Sequence, residues 1–156
     1  MKKKVSIIIP FFNEKENIPI ILSELELVII KLKESYDFEI LLMDNGSNDG
    51  SSNIAKKELN KFPNSKYFKM SRNFGYQANI KAGYDLCTGD VAVVLESDGE
   101  DDPNLIINFL QSWEEGFDVV YGIRKKRQES KAMSFIRNIF YSFLEKFSDL
   151  KLPRGA

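Results

Sequence analysis

Val91-Ala-Val-Val-Leu-Glu-Ser-Asp-Gly-Glu-Asp-Asp-Pro103 is the stretch on which the reading of this chain turns. An apolar run with the character of a buried strand ends in five carboxylates, Glu96, Asp98, Glu100, Asp101 and Asp102. A proline then opens a helical pattern. Carboxylates this dense repel one another, so a fold that keeps them together gains from a divalent cation, and hard oxygen donors suit Mg²⁺ or Mn²⁺. Acids at the carboxyl end of a strand also stand where open α/β sheets take up ligands. The other reading is a solvated acidic turn before a helix N-terminus, where negative charge is favoured in any case.

Outward from this stretch, strand and helix patterns alternate. Val5 to Pro10, Phe38 to Met43, Lys66 to Met70, Val91 to Leu95 and Phe117 to Tyr121 read as strands. Most are nearly continuous in apolar residues, as expected of strands covered on both faces. Residues 15–34, 49–61, 74–87 and 103–115 carry apolar side chains at helical spacing; Leu105, Ile106, Phe109, Leu110 and Trp113 show the pattern. The expectation is an α/β fold, a Rossmann-like and mostly parallel sheet with right-handed crossovers and helices on both faces. Residues 1–122 form its core.

Residues 123–156 differ in character. The basic run Arg124-Lys-Lys-Arg127 precedes an amphipathic stretch from Lys131 to about Asp149, with Met133, Ile136, Ile139, Phe140, Phe143, Leu144 and Phe147 as its apolar side. Such a face packs against its own domain or a partner segment, or lies on an anionic membrane surface. Peripheral membrane contact through 124–149 and self-association are both expectations from it.

Composition narrows the chemistry. The chain has 156 residues, 43% apolar and 29% charged, with net charge −1. That fits one globular domain and gives no reason to expect a nucleic-acid partner. Cys87 is the single cysteine, which rules out an internal disulfide and a zinc site of several thiolates. Histidine is absent, which removes Ser-His-Asp and Cys-His triads and any imidazole acid or base. Chemistry must run on carboxylates, a metal or groups brought by the substrate. No apolar stretch approaches the roughly 20 residues of a bilayer span, and Met-Lys-Lys-Lys-Val-Ser-Ile-Ile-Ile-Pro is too short in apolar length for a signal peptide. A soluble, cytoplasmic chain is expected, with the cytoplasmic face of the membrane as the alternative.

The other strand ends are polar too. Pro10-Phe-Phe-Asn-Glu14 follows the first strand: the proline stops it, and Asn13 reads as a helix cap with Glu14 in the first turn, or as a ligand contact. Met43-Asp-Asn-Gly-Ser-Asn-Asp-Gly-Ser51 follows the second, with Asp44 and Asn45 at the tip, Gly46 for a tight turn, and Asn48 or Asp49 to cap the next helix. It lacks the lysine and glycine spacing of a P-loop. Ser71-Arg-Asn-Phe-Gly-Tyr-Gln77 follows the third, where Arg72 could take a diphosphate or pair with a surface acid. In extended backbone Glu96 and Asp98 point to one side and could reach one metal. The acidic series does not fit an EF-hand.

In order and spacing, Pro10-Phe-Phe-Asn-Glu14, Asp44-Asn-Gly-Ser-Asn-Asp-Gly50, Ser71-Arg-Asn-Phe-Gly75 and Glu96-Ser-Asp-Gly-Glu-Asp-Asp-Pro103 resemble the motif series of family 2 glycosyltransferases, in look closest to the dolichyl/polyprenyl-phosphate sugar transferase branch. The resemblance implies a GT-A fold and inverting transfer from a UDP- or GDP-linked sugar, with Mg²⁺ or Mn²⁺ bridging the phosphates. It implies an acceptor that is a polyprenyl phosphate or a cell-surface glycan. By position, Pro10, Phe12, Asn13 and Glu14 would line the nucleoside pocket, and Asp44 and Asn45 would contact the base. Arg72 and Ser97 would complete the donor site, and Glu96 and Asp98 would stand for the metal-binding Asp-x-Asp pair. Three departures stand out: Asn45 where an acid is usual, Glu96 one methylene longer than Asp, and Gly99-Glu100 in place of Leu-Gln. The family continues into an acceptor-binding half that supplies the general base, so the base is expected beyond Ala156. Two other classes compete: a non-catalytic nucleotide-sugar-binding or docking module that keeps the fold, and a nucleotidyltransferase, which should carry a glycine-rich basic loop after the first strand.

Overall fold

The computed structural model describes residues 2–123. The basic run at 124–127, the amphipathic stretch to Asp149 and the membrane contact expected of them lie outside the described residues. The chain divides into two compact units, Met1–Gln111 and Ser112–Ala156, and the sheet belongs wholly to the first.

Among the described residues four strands and four helices alternate: β1 (Lys3–Phe11), α1 (Asn17–Leu32), β2 (Tyr36–Asp44), α2 (Ser51–Leu59), β3 (Lys66–Lys69), α3 (Tyr76–Leu86), β4 (Val91–Val94) and α4 (Leu105–Glu114). The sheet has the order β3-β2-β1-β4, and every pairing is parallel. Val5 through Phe11 are all buried, which is why β1 reads as an unbroken apolar run.

Helices cover both faces. On one, Ile8, Leu41 and Met43 pack with Phe68, Ala82, Cys87, Ala92 and Val94, drawing α3 onto the sheet. Gly83 makes the contact close: a β-carbon there would lie 2.5 Å from Ile8 Cγ2. Asn79, buried on α3, donates through Nδ2 to the Met43 carbonyl at 2.7 Å and pins the helix over the end of β2. The other face belongs to α1 and α2, which lie side by side. Ser52 of α2 bonds to Asp44, whose side chain alternates to the opposite side of β2 from Met43. Ile18, Ile21, Leu22, Leu25 and Val28 of α1 are fully buried, each contributing about 1.5–3 kcal/mol.

Three sequence expectations change. β1 does not stop at Pro10 but runs to Phe11. Phe11 C=O faces β2, where it accepts from Asn45 N–H, so the missing N–H of Pro10 faces β4. There β4 pairing already ends at Ile8–Val94, and the proline costs no ladder bond. Helix α1 starts at Asn17 and not at 15, with Glu16 at its N-cap and no side-chain cap. Finally, Phe117 to Tyr121 form no strand: they have no ladder pairing among the described residues, the chain bends at Asp118, and Phe117, Val119 and Tyr121 are exposed. Apolar alternation favours extended backbone but cannot supply the neighbour whose N–H and C=O groups complete a ladder.

Beneath the sheet's other end sits a buried acid the sequence reading passed over. Glu39, within β2, accepts from Ser6 Oγ at 2.6 Å and from Thr88 N–H at 2.6 Å, and pairs with Lys4 Nζ at 3.0 Å. Burial by itself would raise its pKa. The bonds from Ser6, Thr88 and Lys4 outweigh it and bring the carboxyl down to about 2.

Candidate functional site

β1 has β2 on one side and β4 on the other, so strand order reverses at β1. In such sheets the crevice outside the carboxyl ends beside the reversal is the ligand site. The loops after β1, β2, β3 and β4 are the four motifs singled out from the sequence, and side-chain hydrogen bonds lace them together.

The first two loops are joined by Asn13. Its backbone is left-handed, φ +59°, a conformation asparagine tolerates. Its Oδ1 accepts from Asn48 N–H at 2.9 Å, and its own N–H donates to Ser47 Oγ at 3.0 Å. Asn13 is therefore a bridge between loops and not a helix cap. Glu14 supplies the helix entry: its carbonyl accepts from Asn17 and Ile18 N–H, and its carboxylate accepts from Asn17 Nδ2 at 2.7 Å. Phe12, just before Asn13, is 40% exposed although Phe11 beside it is buried. Asp49 holds the start of α2, accepting Ser51 N–H at 3.0 Å.

Asp44 is wholly buried and closes the turn after β2. Oδ1 accepts from Ser47 N–H at 2.7 Å, and Oδ2 from Ser52 Oγ at 2.5 Å and Tyr67 OH at 2.6 Å. Burial would raise its pKa, but the bonds from Ser52, Tyr67 and Ser47 win and hold the carboxyl below the usual range. Burial and the bond to Asp44 push the Tyr67 phenol up to about 12. Carboxylate and phenol thus keep one charge state across the working pH range.

Asn45 ties β2 to the loop after β3. Its Oδ1 accepts from Phe74 N–H at 3.0 Å, and its Nδ2 donates to Asn73 Oδ1 at 3.1 Å. Gly46, at φ +84°, lets the same loop lie directly on the turn, since a β-carbon there would stand 2.7 Å from the Arg72 carbonyl carbon. Arg72 is exposed, with its guanidinium stacked on the Phe74 ring at 4.2 Å.

At β4 the strand ends at Val94, and Ser97 and Asp98 already form a turn, so two-residue alternation does not reach the Glu96/Asp98 pair. Ser97 is buried. Glu96 is half-buried and its Oε1 accepts the hydroxyl of Tyr76, the first residue of α3. Asp98 is exposed; one oxygen accepts from Glu100 N–H at 2.9 Å. Asp102 accepts from Asn104 N–H and Nδ2, both at 2.9 Å, and leads into α4; these bonds hold its carboxyl below the usual range against a small effect of burial. The helix-entry reading of the acidic stretch therefore accounts for Asp102 but leaves Glu96 and Asp98 unexplained.

Among the described residues no three acids, histidines or cysteines converge as a cation cage. Two single carboxylates at a strand exit suit a Mg²⁺ or Mn²⁺ that takes its other ligands from substrate phosphates and water. In that sense the donor set fits.

Ser47, Asn73, Tyr67 and Tyr76 are working parts that sequence reading did not single out. Their partners lie between 20 and 34 residues away, beyond any local pattern.

Residues 6–152 match the family model described as Glycosyl transferase family 2. The chain is 36% identical over 152 residues to YkcC, an uncharacterized glycosyltransferase of Bacillus subtilis (strain 168), covering 95% of this chain and 46% of that protein. It is 39% identical over 128 residues to an undecaprenyl-phosphate 4-deoxy-4-formamido-L-arabinose transferase of Pseudomonas fluorescens, covering 81% and 37%. The chain thus spans less than half the length of these relatives. Among solved structures it is similar to mannosyl-3-phosphoglycerate synthase from Rubrobacter xylanophilus, with TM-score 0.65, 19% identity, and 91% and 49% of the two chains covered. It is also similar to residues 1–349 of S. aureus TarS in complex with UDP-GlcNAc, with TM-score 0.54, 20% identity, and 81% and 39% covered. At these identities the likeness shows the GT-A fold.

Proposed function

The chain belongs to glycosyl transferase family 2, and on that premise we propose that it takes a UDP- or GDP-linked sugar at the carboxyl ends of β1, β2 and β4 and passes the sugar to an acceptor with inversion. One observation carries the reading: four polar loops meet at the strand-order reversal and are bonded to one another through Asn13, Asn45 and Tyr76. A site built this way is rigid before its ligand arrives, so little ordering entropy opposes binding.

In this reading Pro10, Phe12, Asn13 and Glu14 line the nucleoside pocket, with the exposed Phe12 ring against base or ribose. Asp44 acts through the turn it closes, and Asn45 offers the base what its amide has left beyond Asn73 and Phe74. Arg72 supplies a forked, permanently charged donor to the diphosphate. Ser97, buried, sets the backbone between Glu96 and Asp98, which would hold the divalent cation. Bound there, Mg²⁺ or Mn²⁺ neutralises charge on the departing nucleoside diphosphate. A polyprenyl phosphate is the acceptor we favour, because a relative is named for undecaprenyl phosphate; a cell-surface glycan is the other class. A lipid acceptor would set the reaction at the cytoplasmic membrane face.

A second reading keeps the fold without the chemistry, as a nucleotide-sugar-binding or docking module. It is favoured by Asn45, whose amide is engaged on both of its atoms by the neighbouring loop. Incubating the chain with UDP- and GDP-sugars, undecaprenyl phosphate and Mn²⁺ separates the two. Metal-dependent release of nucleoside diphosphate, even by slow hydrolysis of the donor and stopped by EDTA, is the expected result. Donor binding without release under any pairing selects the docking module.

A further inference from the structure

Two features of the loop after β3 account for each other. Phe74 leaves 44% of its surface in solvent, although its backbone is tied to β2 through Asn45. Arg72, two residues earlier, is a permanent cation that makes no ion pair among the described residues. It stays unpaired although Glu96, Asp98 and Asp101 follow β4 at the same edge of the sheet. Its guanidinium carbon instead lies 4.2 Å from the centre of the Phe74 ring.

We infer that Phe74 is a positioning residue, whose ring holds the Arg72 guanidinium ready to receive the diphosphate of the donor. The inference rests on the donor-site reading given above. Both ends of the stack are anchored in the backbone. Phe74 N–H donates to Asn45 Oδ1 at 3.0 Å, and a β-carbon on Gly46 would stand 2.7 Å from the Arg72 carbonyl carbon. Beyond Phe74 the chain passes through Gly75 into α3, whose first residue, Tyr76, reaches Glu96. Arg72 therefore stands on the segment that joins the turn after β2 to the carboxylates after β4. A long arginine side chain loses rotamer freedom when a ligand fixes it, and one already held on an aromatic ring loses less. The ring attracts the cation through its π face and takes none of its N–H donors in a conventional hydrogen bond. The forked donors remain for phosphate oxygens. A carboxylate partner would fix the side chain too, but it would occupy the fork and neutralise the charge.

The test is a double-mutant cycle on the whole chain, titrated with UDP and GDP in Mg²⁺ and followed by NMR so that weak binding is read as well. Phe74→Leu keeps an apolar side chain and the N–H that Asn45 accepts. It should weaken the nucleotide that wild type binds by about three- to tenfold, the cost of immobilising one long side chain. Phe74→Tyr keeps the ring and should bind as wild type does. With Arg72→Gln in place, Phe74→Leu should change the affinity by no more than about twofold. An equal loss in both backgrounds, or no loss from Phe74→Leu, overturns the inference and leaves the donor site standing. Absence of nucleotide binding in wild type overturns both. The stack can also be read without any ligand: ring current should move the Arg72 side-chain protons upfield in wild type and Phe74→Tyr but not in Phe74→Leu. One and the same shift in all three contradicts the contact between Arg72 and Phe74.

Discussion

Asp44 and Asn45 are neighbours with opposite burdens, and they show how the site is made at the scale of single residues. Asp44 faces inward and spends its oxygens on Ser47, Ser52 and Tyr67; Asn45 faces the loop after β3 and holds it through Asn73 and Phe74. The turn between them and Asn48 depends on Gly46, which combines φ +84° with backbone of the next loop where a β-carbon would go. Gly46→Ala should therefore destabilise the chain by about 2 kcal/mol or more, since strain and a backbone clash act together. Urea unfolding measures it, and a loss below about 0.5 kcal/mol, the range of ordinary surface substitutions, would contradict the close packing of the two loops. From sequence, the glycine and the polar run announced a turn. They did not announce which residues it would touch, because Gly46 and Arg72 are brought together by β2–β3 pairing and not by local preference.

At the scale of elements, strands were the most legible part. Nearly continuous apolar runs identified β1, β2 and β4, as expected of strands covered on both faces, whereas β3 is an edge strand with exposed Lys66 and Lys69 at its ends. The boundaries shifted where side chains overrode pattern: Asn13 turned left-handed to reach Asn48, which delayed α1 to Asn17. Phe117 to Tyr121 had the right residues for a strand but no described neighbour. Glu39 was the missed signal, a lone acid inside an apolar strand, which in a folded chain has to be paired. Its role is to clamp β1, β2 and the Thr88 turn before β4. With a folded pKa of about 2 against an ordinary 4.5, its contribution is whole above the ordinary value and disappears as pH falls through about 2. The shift corresponds to up to about 3 kcal/mol. Glu39→Gln should unfold more easily than wild type at neutral pH by this order, and the gap should close between about pH 4.5 and 2. Urea unfolding at several pH values reads it; a gap that stays constant down to about pH 2.5 would contradict the clamp.

At the scale of the whole molecule, sequence order became spatial order because a parallel sheet delivers every strand's carboxyl end to one edge. That is why motifs near residues 10, 44, 72 and 96 could be read as one site before any contact was known. What the sequence could not show was how that edge is held: Asn13 to Asn48, Asn45 to Phe74 and Tyr76 to Glu96 each span 20 residues or more. The family match shows the family and the fold, while base, sugar and acceptor belong to the proposal.

The proposed site is a metal-assisted nucleotide site at the carboxyl ends of β1, β2 and β4. Its most direct test is calorimetric titration of the chain with UDP and GDP in Mn²⁺, repeated in EDTA and with Asp98→Asn. Binding of one nucleotide in Mn²⁺ is expected, lost in EDTA and reduced by more than about 100-fold in the variant, beyond the range for orienting residues alone. Binding that persists unchanged in EDTA and in Asp98→Asn, or no binding of either nucleotide by wild type, would contradict it.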